Sequence, residues 1–307
     1  MPPKKIICLV GPTGSGKSAI AARLGSALNG TVINADSRQV YADFPLITAQ
    51  PGMAEQRLCP HLLYGFMDSR EKISAGEYAR LAHKSMEESF AQGRSPILAG
   101  GSGLYLRALL RGLAEIPPVD EGIRRKWQER CSVLGSAELH RELTALDPER
   151  AAAIHPHDRQ RITRALEVYE STGKTLSWWQ KNTLSKSKGT ERIILGLDMS
   201  LAELEPLLER RIDLMLEQGA LEEAGRAKER CPDPGVPGWS GIGCAELWRV
   251  LAGTLSLGEA RALWLKNTRA YAKRQLTWFK AEKEIIWHRP EQFDSLDQVM
   301  ALCGFAM

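Results

Sequence analysis

The sequence predicts an α/β fold in which a parallel-sheet core is interrupted by an all-helical domain. Three observations carry that prediction. Between residues 5 and about 118, short apolar runs alternate with helical periodicity, the pattern of strands joined by crossover helices. From about 120 to 190 the alternation stops and only helical spacing remains. At 193–197 the run Ile-Ile-Leu-Gly-Leu restores a strand, with helices expected from there to the C-terminus. The expected organisation is therefore a core domain of residues 1–119 and 191–307, with 120–190 inserted into it.

The elements follow in order. Ile6-Ile7-Cys8-Leu9-Val10 is a continuous apolar run of the length of a strand buried on both faces. Residues 19–29 put Ile20, Leu24 and Leu28 on one helical face. Thr31-Val32-Ile33 is a second strand, and Pro96-Ile97-Leu98-Ala99 a third, leading into Gly100-Gly101-Ser102-Gly103 and a helix from Leu104. Pro117-Pro118 ends this block. In the insertion, Ile123, Trp127, Cys131 and Leu134 recur at helical spacing up to Gly135, and Leu139, Leu143 and Leu146 up to Asp147-Pro148. A third helix carries Ile162, Ala165, Leu166 and Tyr169, and the polar stretch 183–190 reads as a loop.

Composition narrows the function classes. With 43% hydrophobic and 25% charged residues the chain is an ordinary globular protein. No apolar stretch approaches the ~20 residues of a membrane span, and the N-terminal run lacks the length and cleavage site of a signal peptide. A cytosolic protein that does not engage membranes is expected. Cys8, Cys59, Cys131, Cys231, Cys244 and Cys303 are scattered without zinc-ligand or disulfide spacing. The net charge of +4 is compatible with an anionic partner.

Gly11-Pro12-Thr13-Gly14-Ser15-Gly16-Lys17-Ser18 matches the phosphate-binding loop, directly after a buried strand and directly before a helix. Its glycines let backbone N–H groups converge on phosphate oxygens, Lys17 adds a point charge, and the Ser18 hydroxyl is placed for Mg²⁺. The core is thus P-loop NTPase-like. The motif says that a phosphate chain is bound, and leaves open which molecule carries it.

Asp36 stands just past the second strand, at the ligand-binding edge of a parallel sheet. A metal-holding acid, a general base and a turn-capping Asp all remain possible readings. The strand at 96–99 ends in glycines instead of an acid, and no water-activating group is evident, so group transfer is favoured over hydrolysis. Arg211 falls inside the apolar arc of Leu204, Leu208, Ile212, Met215 and Gly219, a place for either a snorkelling side chain or a cation directed into a site. Basic residues cluster around Gln160, Arg161 and Arg164, and again along Lys266, Arg269, Lys273 and Lys280. Solvated faces and nucleic-acid contacts both fit such clusters. Trp178-Trp179 suits either base stacking or a core.

Together these runs resemble the tRNA dimethylallyltransferase (isopentenyltransferase) family of bacterial type. The matching segments are the 11–18 loop, Asn34-Ala35-Asp36-Ser37-Arg38-Gln39-Val40-Tyr41, Ala75-Gly76-Glu77-Tyr78 and Gly100-Gly101-Ser102-Gly103-Leu104-Tyr105. Further on come Gln160-Arg161-x-x-Arg164-Ala165-Leu166-Glu167, Arg211-Ile212-Asp213-x-Met215 and Thr268-Arg269-x-x-Ala272-Lys273-Arg274-Gln275-x-Thr277-Trp278-Phe279. The resemblance implies transfer of dimethylallyl from dimethylallyl diphosphate to N6 of the adenosine at tRNA position 37. It implies Asp36 as base, with Lys17, Ser18 through Mg²⁺, and Arg211 holding the diphosphate. RNA contacts would come from Asp36, Ser37, Arg38, Gln39, Ser102, Arg124, Gln160, Arg161, Ile162, Thr163 and Arg164, joined by Arg269 and Lys273 from the basic stripe. The insertion would bind the anticodon stem-loop, and the enzyme would act as a monomer. Because the strand ending at Ala99 carries no acid, no water-activating group is evident and Asp36 is needed at the acceptor, ATP is not expected to be consumed.

Four positions depart from the family pattern: Leu62 where His is usual, Leu207 where many members carry a second Arg, Ser102 for Thr, and Cys244 for Tyr. A small-molecule kinase would also pair the loop with a carboxylate, but would need neither the helical insertion nor the basic stripe. An isopentenyltransferase acting on free adenylate would likewise need no RNA-contacting helix. A non-catalytic RNA-binding protein would leave Lys17 and Asp36 idle.

Overall fold

The computed structural model describes residues 5–183, 191–293 and 295 of the chain. In chain order it contains β1 (Lys5–Val10), α1 (Lys17–Ala27), β2 (Gly30–Asn34), α2 (Met53–Leu58), β3 (His61–Leu62), α3 (Ala75–Ala91), β4 (Ser95–Gly100) and α4 (Gly103–Arg111). Then come α5 (Glu121–Leu134), α6 (Ser136–Leu146), α7 (Pro148–Ala152), α8 (Arg159–Thr172) and α9 (Leu176–Asn182). The chain returns through β5 (Glu191–Leu197), α10 (Leu201–Glu217), α11 (Ala220–Arg230), α12 (Cys244–Leu251), α13 (Leu257–Lys280) and β6 (Ile285–His288). It divides into two compact units, Met1–Leu109 with Gly189–Met307, and Leu110–Lys188.

The first unit holds a six-stranded sheet in the order β3-β2-β4-β1-β5-β6, with every pairing parallel. Chain-adjacent β1 and β2 are therefore not neighbours: β4 lies between them. Register fixes the consequence. Val10 pairs with Gly100, and Asn34 with Ala99. The segments leaving β1, β2 and β4 accordingly start side by side at the carboxyl edge, where ligands bind in open α/β sheets. The central strands β1 and β4 are buried over all but their first residue because helices cover a parallel sheet on both faces. Ile7, Leu9, Ile97, Leu195 and Leu197 pack with Ile20 and Leu24 of α1 in one buried cluster. Leu204 and Leu208 of α10 pack with Ala272 and Leu276 of α13 in another.

The second unit has its own core, including Trp127, Cys131, Leu139, Leu143, Ile162, Ala165, Leu166 and Leu176. Asp158 caps α8 by accepting the Arg161 amide, and His140 Nε2 lies 3.0 and 2.9 Å from the carbonyls of Ala151 and Ile154.

Several expectations need correction. β6 occupies a stretch expected to be helical; Ile285-Ile286-Trp287 is β-branched and aromatic, and pairs with β5 over Ile194 to Leu197. β3, at two residues, is too short to leave a periodic signal. α1 begins at Lys17, ahead of Ala19, because the loop runs straight into its first turn. Leu134, Leu146 and Tyr169, placed on apolar arcs, are exposed at helix ends or edges, and Val168 takes the buried place near Tyr169. Gly219 lies past the end of α10 and caps α11 instead. Most of the polar stretch 183–190 lies outside the described residues. No helix among the described residues is long and apolar enough to cross a membrane.

Candidate active site

The loop after β1 closes on itself around the Pro12 carbonyl, which accepts from Ser15 Oγ at 2.8 Å and from Lys17 Nζ at 2.6 Å. α1 starts at Lys17 with Gly16 as its N-cap; no side chain caps it and no acid stands in its first turn. Its first amides keep their partial positive charge for an anion. Removal from water pushes the Lys17 ammonium down to about 7, with the Asp36 carboxylate opposing that fall and the Arg211 guanidinium adding to it. The same carboxylate supports the charge on Arg211, whose burial acts against it. Lys17, Asp36 and Arg211 therefore share one electrostatic neighbourhood, although they lie far apart along the chain.

A depressed Lys17 has a measurable consequence. Between about 7 and its usual value the lysine is neutral in the fold and charged in the unfolded chain, so the unfolded state binds more protons. This contribution to stability rises with pH across that window. An anion on the loop reverses the balance by favouring the ammonium. Binding of inorganic diphosphate at about pH 8 is expected to take up close to one proton through Lys17, and almost none at about pH 6. Calorimetry in buffers of different ionisation enthalpy reads this directly. Equal uptake by wild type and Lys17→Met would remove the lysine from anion binding.

The second loop fixes Asp36 through its backbone. Asn34, fully buried, accepts the Asp36 amide on Oδ1 at 2.7 Å and donates from Nδ2 to the carbonyls of Asp36 and Leu63. Asp36 Oδ1 accepts the Arg38 amide at 2.8 Å. The turn-capping reading of Asp36 is thus true of one oxygen, while Oδ2 accepts no hydrogen bond among the described residues. The Ser37 amide donates to Ser102 Oγ at 2.9 Å, and Ser102 Oγ donates to Ser37 Oγ at 3.1 Å, joining this loop to the one after β4. Gly100 permits that junction. A Cβ there would meet the carbonyl carbon of Ala35 at 2.1 Å, so only glycine lets the two backbones approach.

Arg211 completes the group, with Leu208, Ile212 and Met215 buried around it on α10. Its Nη1 lies 3.5 Å from Thr13 Oγ1, at the limit of a hydrogen bond. Thr13, Asp36, Ser37, Arg38 and Arg211 line a cavity of about 290 Å³, whose remaining wall includes Ile47, Leu208, Ile212, Met215, Ile242 and Trp264. The lining combines charged and apolar side chains, which suits an anionic ligand with a short hydrocarbon tail. Arg38 Nη1 is held by Ser240 Oγ at 2.7 Å.

The structure does not bring every expected contact to a surface. Gln39 Nε2 donates to the carbonyls of Thr48 and Ala49, so that amide is committed to the fold. Ile162 and Thr163, expected to touch RNA, are buried in the second unit, and Thr163 Oγ1 bonds back to Arg159 and Gln160. Gln160 and Arg161 on the same helix are exposed, and Arg164 is half-exposed beside Glu167. Arg124 pairs with Glu121 at 3.5 Å. On α13, Arg269 and Lys273 are exposed, and Arg269 reaches Glu205 at 3.3 Å. Leu207 is exposed and does not line the cavity. Ile47, Thr48, Ile242, Trp264 and Tyr271 went unforeseen, since their part in the wall depends on long-range packing.

The sequence pattern of the IPP transferase family matches residues 39–282. A tRNA dimethylallyltransferase of Nitratidesulfovibrio vulgaris (strain DSM 19637 / Miyazaki F) is 54% identical over 320 residues, spanning 99% of this chain and 94% of that protein. Among solved structures, the tRNA isopentenylpyrophosphate transferase of Bacillus halodurans shares 32% identity at a TM-score of 0.69, covering 98% of this chain and 95% of that one. A eukaryotic dimethylallyltransferase acting on tRNA shares 29% identity at a TM-score of 0.78, over 97% of this chain and 78% of its own. With identity sustained along nearly its whole length and the same fold beneath it, the chain belongs to the IPP transferase family.

Proposed function

We propose that the protein transfers the dimethylallyl group of dimethylallyl diphosphate to N6 of the adenosine at position 37 of tRNA, beside the anticodon, and releases diphosphate. One observation carries the reading. Arg38 and Arg211, a carboxylate with a spare oxygen and apolar side chains line a single cavity at the carboxyl edge of the sheet, and Lys17 shares the electrostatic neighbourhood of Asp36 and Arg211. Family membership supplies the reaction class.

In this reading the loop amides of Gly14 and of Gly16 to Ser18, with Lys17 and Arg211, bind the diphosphate, and the apolar wall takes the prenyl tail. The allylic C1–O bond breaks with its electron pair going to the diphosphate, and the N6–C1 bond forms. The N6 proton passes to Asp36 Oδ2. Stabilising the departing charge is the largest contribution the site can make. The base adds roughly 10²–10⁴-fold.

Ser18 is the residue suited to Mg²⁺. Among the described residues there is no cluster of His, Cys, Asp or Glu that would hold an ion alone. A single hydroxyl beside a phosphate loop matches an ion that takes most of its remaining ligands from water and phosphate. When bound, Mg²⁺ would neutralise part of the diphosphate charge.

The target adenine is reached most cheaply from a single-stranded loop. The helical unit, with Arg124, Gln160, Arg161 and Arg164, is assigned to the anticodon stem-loop, as are Arg269 and Lys273 of α13. A monomer acting on tRNA in the cytosol is part of the same proposal. The deciding experiment supplies labelled dimethylallyl diphosphate, an anticodon stem-loop and Mg²⁺, with no nucleotide. Label is expected on N6 of the target adenosine. Transfer that waits for ATP, with ATP consumed in step, would favour a kinase-like reading.

A further inference from the structure

Gln275 is a polar side chain on the buried face of α13, between Ala272 and Phe279, and is only 4% exposed. Its amide is used at both ends. Oε1 accepts the Thr13 amide at 2.8 Å, and Nε2 donates to the Gly101 carbonyl at 3.0 Å. One carboxamide thus spans the phosphate loop after β1 and the glycine turn after β4, from 262 and 174 residues away. Gly101 leaves room for it: a Cβ there would sit 1.9 Å from Nε2. The next turn of α13 repeats the arrangement, with the Trp278 ring occupying the space that a Cβ on Gly103 would need. The Arg107 guanidinium lies over that ring, 4.9 Å from its centre.

We infer that Gln275 is a positioning residue for the transfer reaction, holding the phosphate loop in its diphosphate-binding shape by fixing Thr13 against the Gly101 turn. Among the described residues, the other hydrogen-bond contact of Thr13 is the Arg211 Nη1 approach to its hydroxyl at 3.5 Å. With its N–H committed to Gln275, the Thr13 amide stays turned toward α13, and the Ser15 amide donates to the Pro12 carbonyl at 3.3 Å, which leaves those of Gly14 and of Gly16 to Ser18 for the ligand. A loop with several left-handed glycines has many other conformations available. Restricting them before the ligand arrives lowers the entropy lost on binding. The inference rests on the diphosphate reading of the loop.

The test uses the full chain with Mg²⁺ and inorganic diphosphate, alongside anticodon stem-loop binding and thermal melting. Gln275→Met keeps the size and removes both hydrogen bonds. Its diphosphate affinity is expected to fall by about tenfold to a hundredfold, the usual effect of losing a group that orients a ligand. Stem-loop affinity should change by less than about threefold, and KM for dimethylallyl diphosphate should rise more than kcat falls. Gln275→Glu supplies a readout that a merely structural residue would not move. A protonated carboxyl reproduces the amide pattern, accepting on one oxygen and donating from the other, whereas a carboxylate repels the Gly101 carbonyl. The ratio of its diphosphate affinity to that of wild type is therefore expected to rise as pH falls from about 8 to about 6, since burial raises a carboxyl pKa. Wild-type affinity in Gln275→Met, or a Gln275→Glu ratio that is low and independent of pH, would overturn the assignment. Failure of wild type itself to bind diphosphate would instead strike the underlying reading.

Discussion

Asp36→Asn is expected to lower the single-turnover rate of transfer by about 10²–10⁴-fold while leaving tRNA affinity within about tenfold. The asymmetry comes from the two oxygens. Oδ1 accepts the Arg38 amide and shapes the turn, and the carbonyl oxygen of asparagine can take over that bond. Asn34 fixes the backbone of residue 36 from both sides whichever side chain stands there. What is lost is the second oxygen as an acceptor for the N6 proton. Lys17 and Arg211 also lose a counter-charge that supports them, so Lys17 should discharge at a still lower pH in the variant. Rates are to be measured at saturating dimethylallyl diphosphate, with stem-loop binding measured separately. A variant keeping more than half of the wild-type rate would take Asp36 out of the proton transfer.

The way Asp36 is held shows what the sequence discloses and what it hides. The phosphate loop and Asp36 are legible because each is a local event, a loop or carboxylate that ends a buried strand. Arg211 is legible for a related reason: a charge inside a helix's apolar arc contradicts the local pattern and calls for an explanation. Gln275 carries the same signal, lying on the face defined by Ala272, Leu276 and Phe279, and periodicity alone could have singled it out. Its partners could not be found that way, because they sit in loops far away in the chain. The apolar wall is hidden for the same reason. Ile47 and Leu46 owe their position to Glu223, a buried carboxylate on α11 that accepts both amides at 2.9 Å. Burial raises the pKa of Glu223 while those two amides oppose the rise, and nothing near residue 47 in sequence announces it. A motif carried over without its periodicity does not separate outward from inward side chains. Ile162 and Thr163 lie within a run of expected RNA contacts, yet α8 turns them inward, whereas Gln160 and Arg161 point out.

Arg211→Ala is expected to cost about 10²–10³ in kcat/KM for dimethylallyl diphosphate, the range for removing one donor to a developing charge. Stem-loop affinity should change little. The guanidinium stands among Leu208, Ile212 and Met215, where water competes weakly for its donors, and it is within reach of Thr13 on the phosphate loop. A charge in such surroundings acts on a departing diphosphate more strongly than one in solvent. With Leu207 exposed one turn earlier on the helix, no second arginine at that position shares the task. Truncation also leaves space in the wall, so the melting temperature has to be followed, and Arg211→Lys supplies the control. It keeps the charge but loses the planar fork, and should recover part of the rate. Lys17 offers an independent reading of the same variant. Arg211 helps to depress the Lys17 pKa, so its removal should let Lys17 hold its proton to higher pH. Proton uptake on diphosphate binding at about pH 8 would then shrink relative to wild type. Equal losses in diphosphate and stem-loop binding, with a lowered melting temperature and unchanged proton uptake, would return Arg211 to a role in packing.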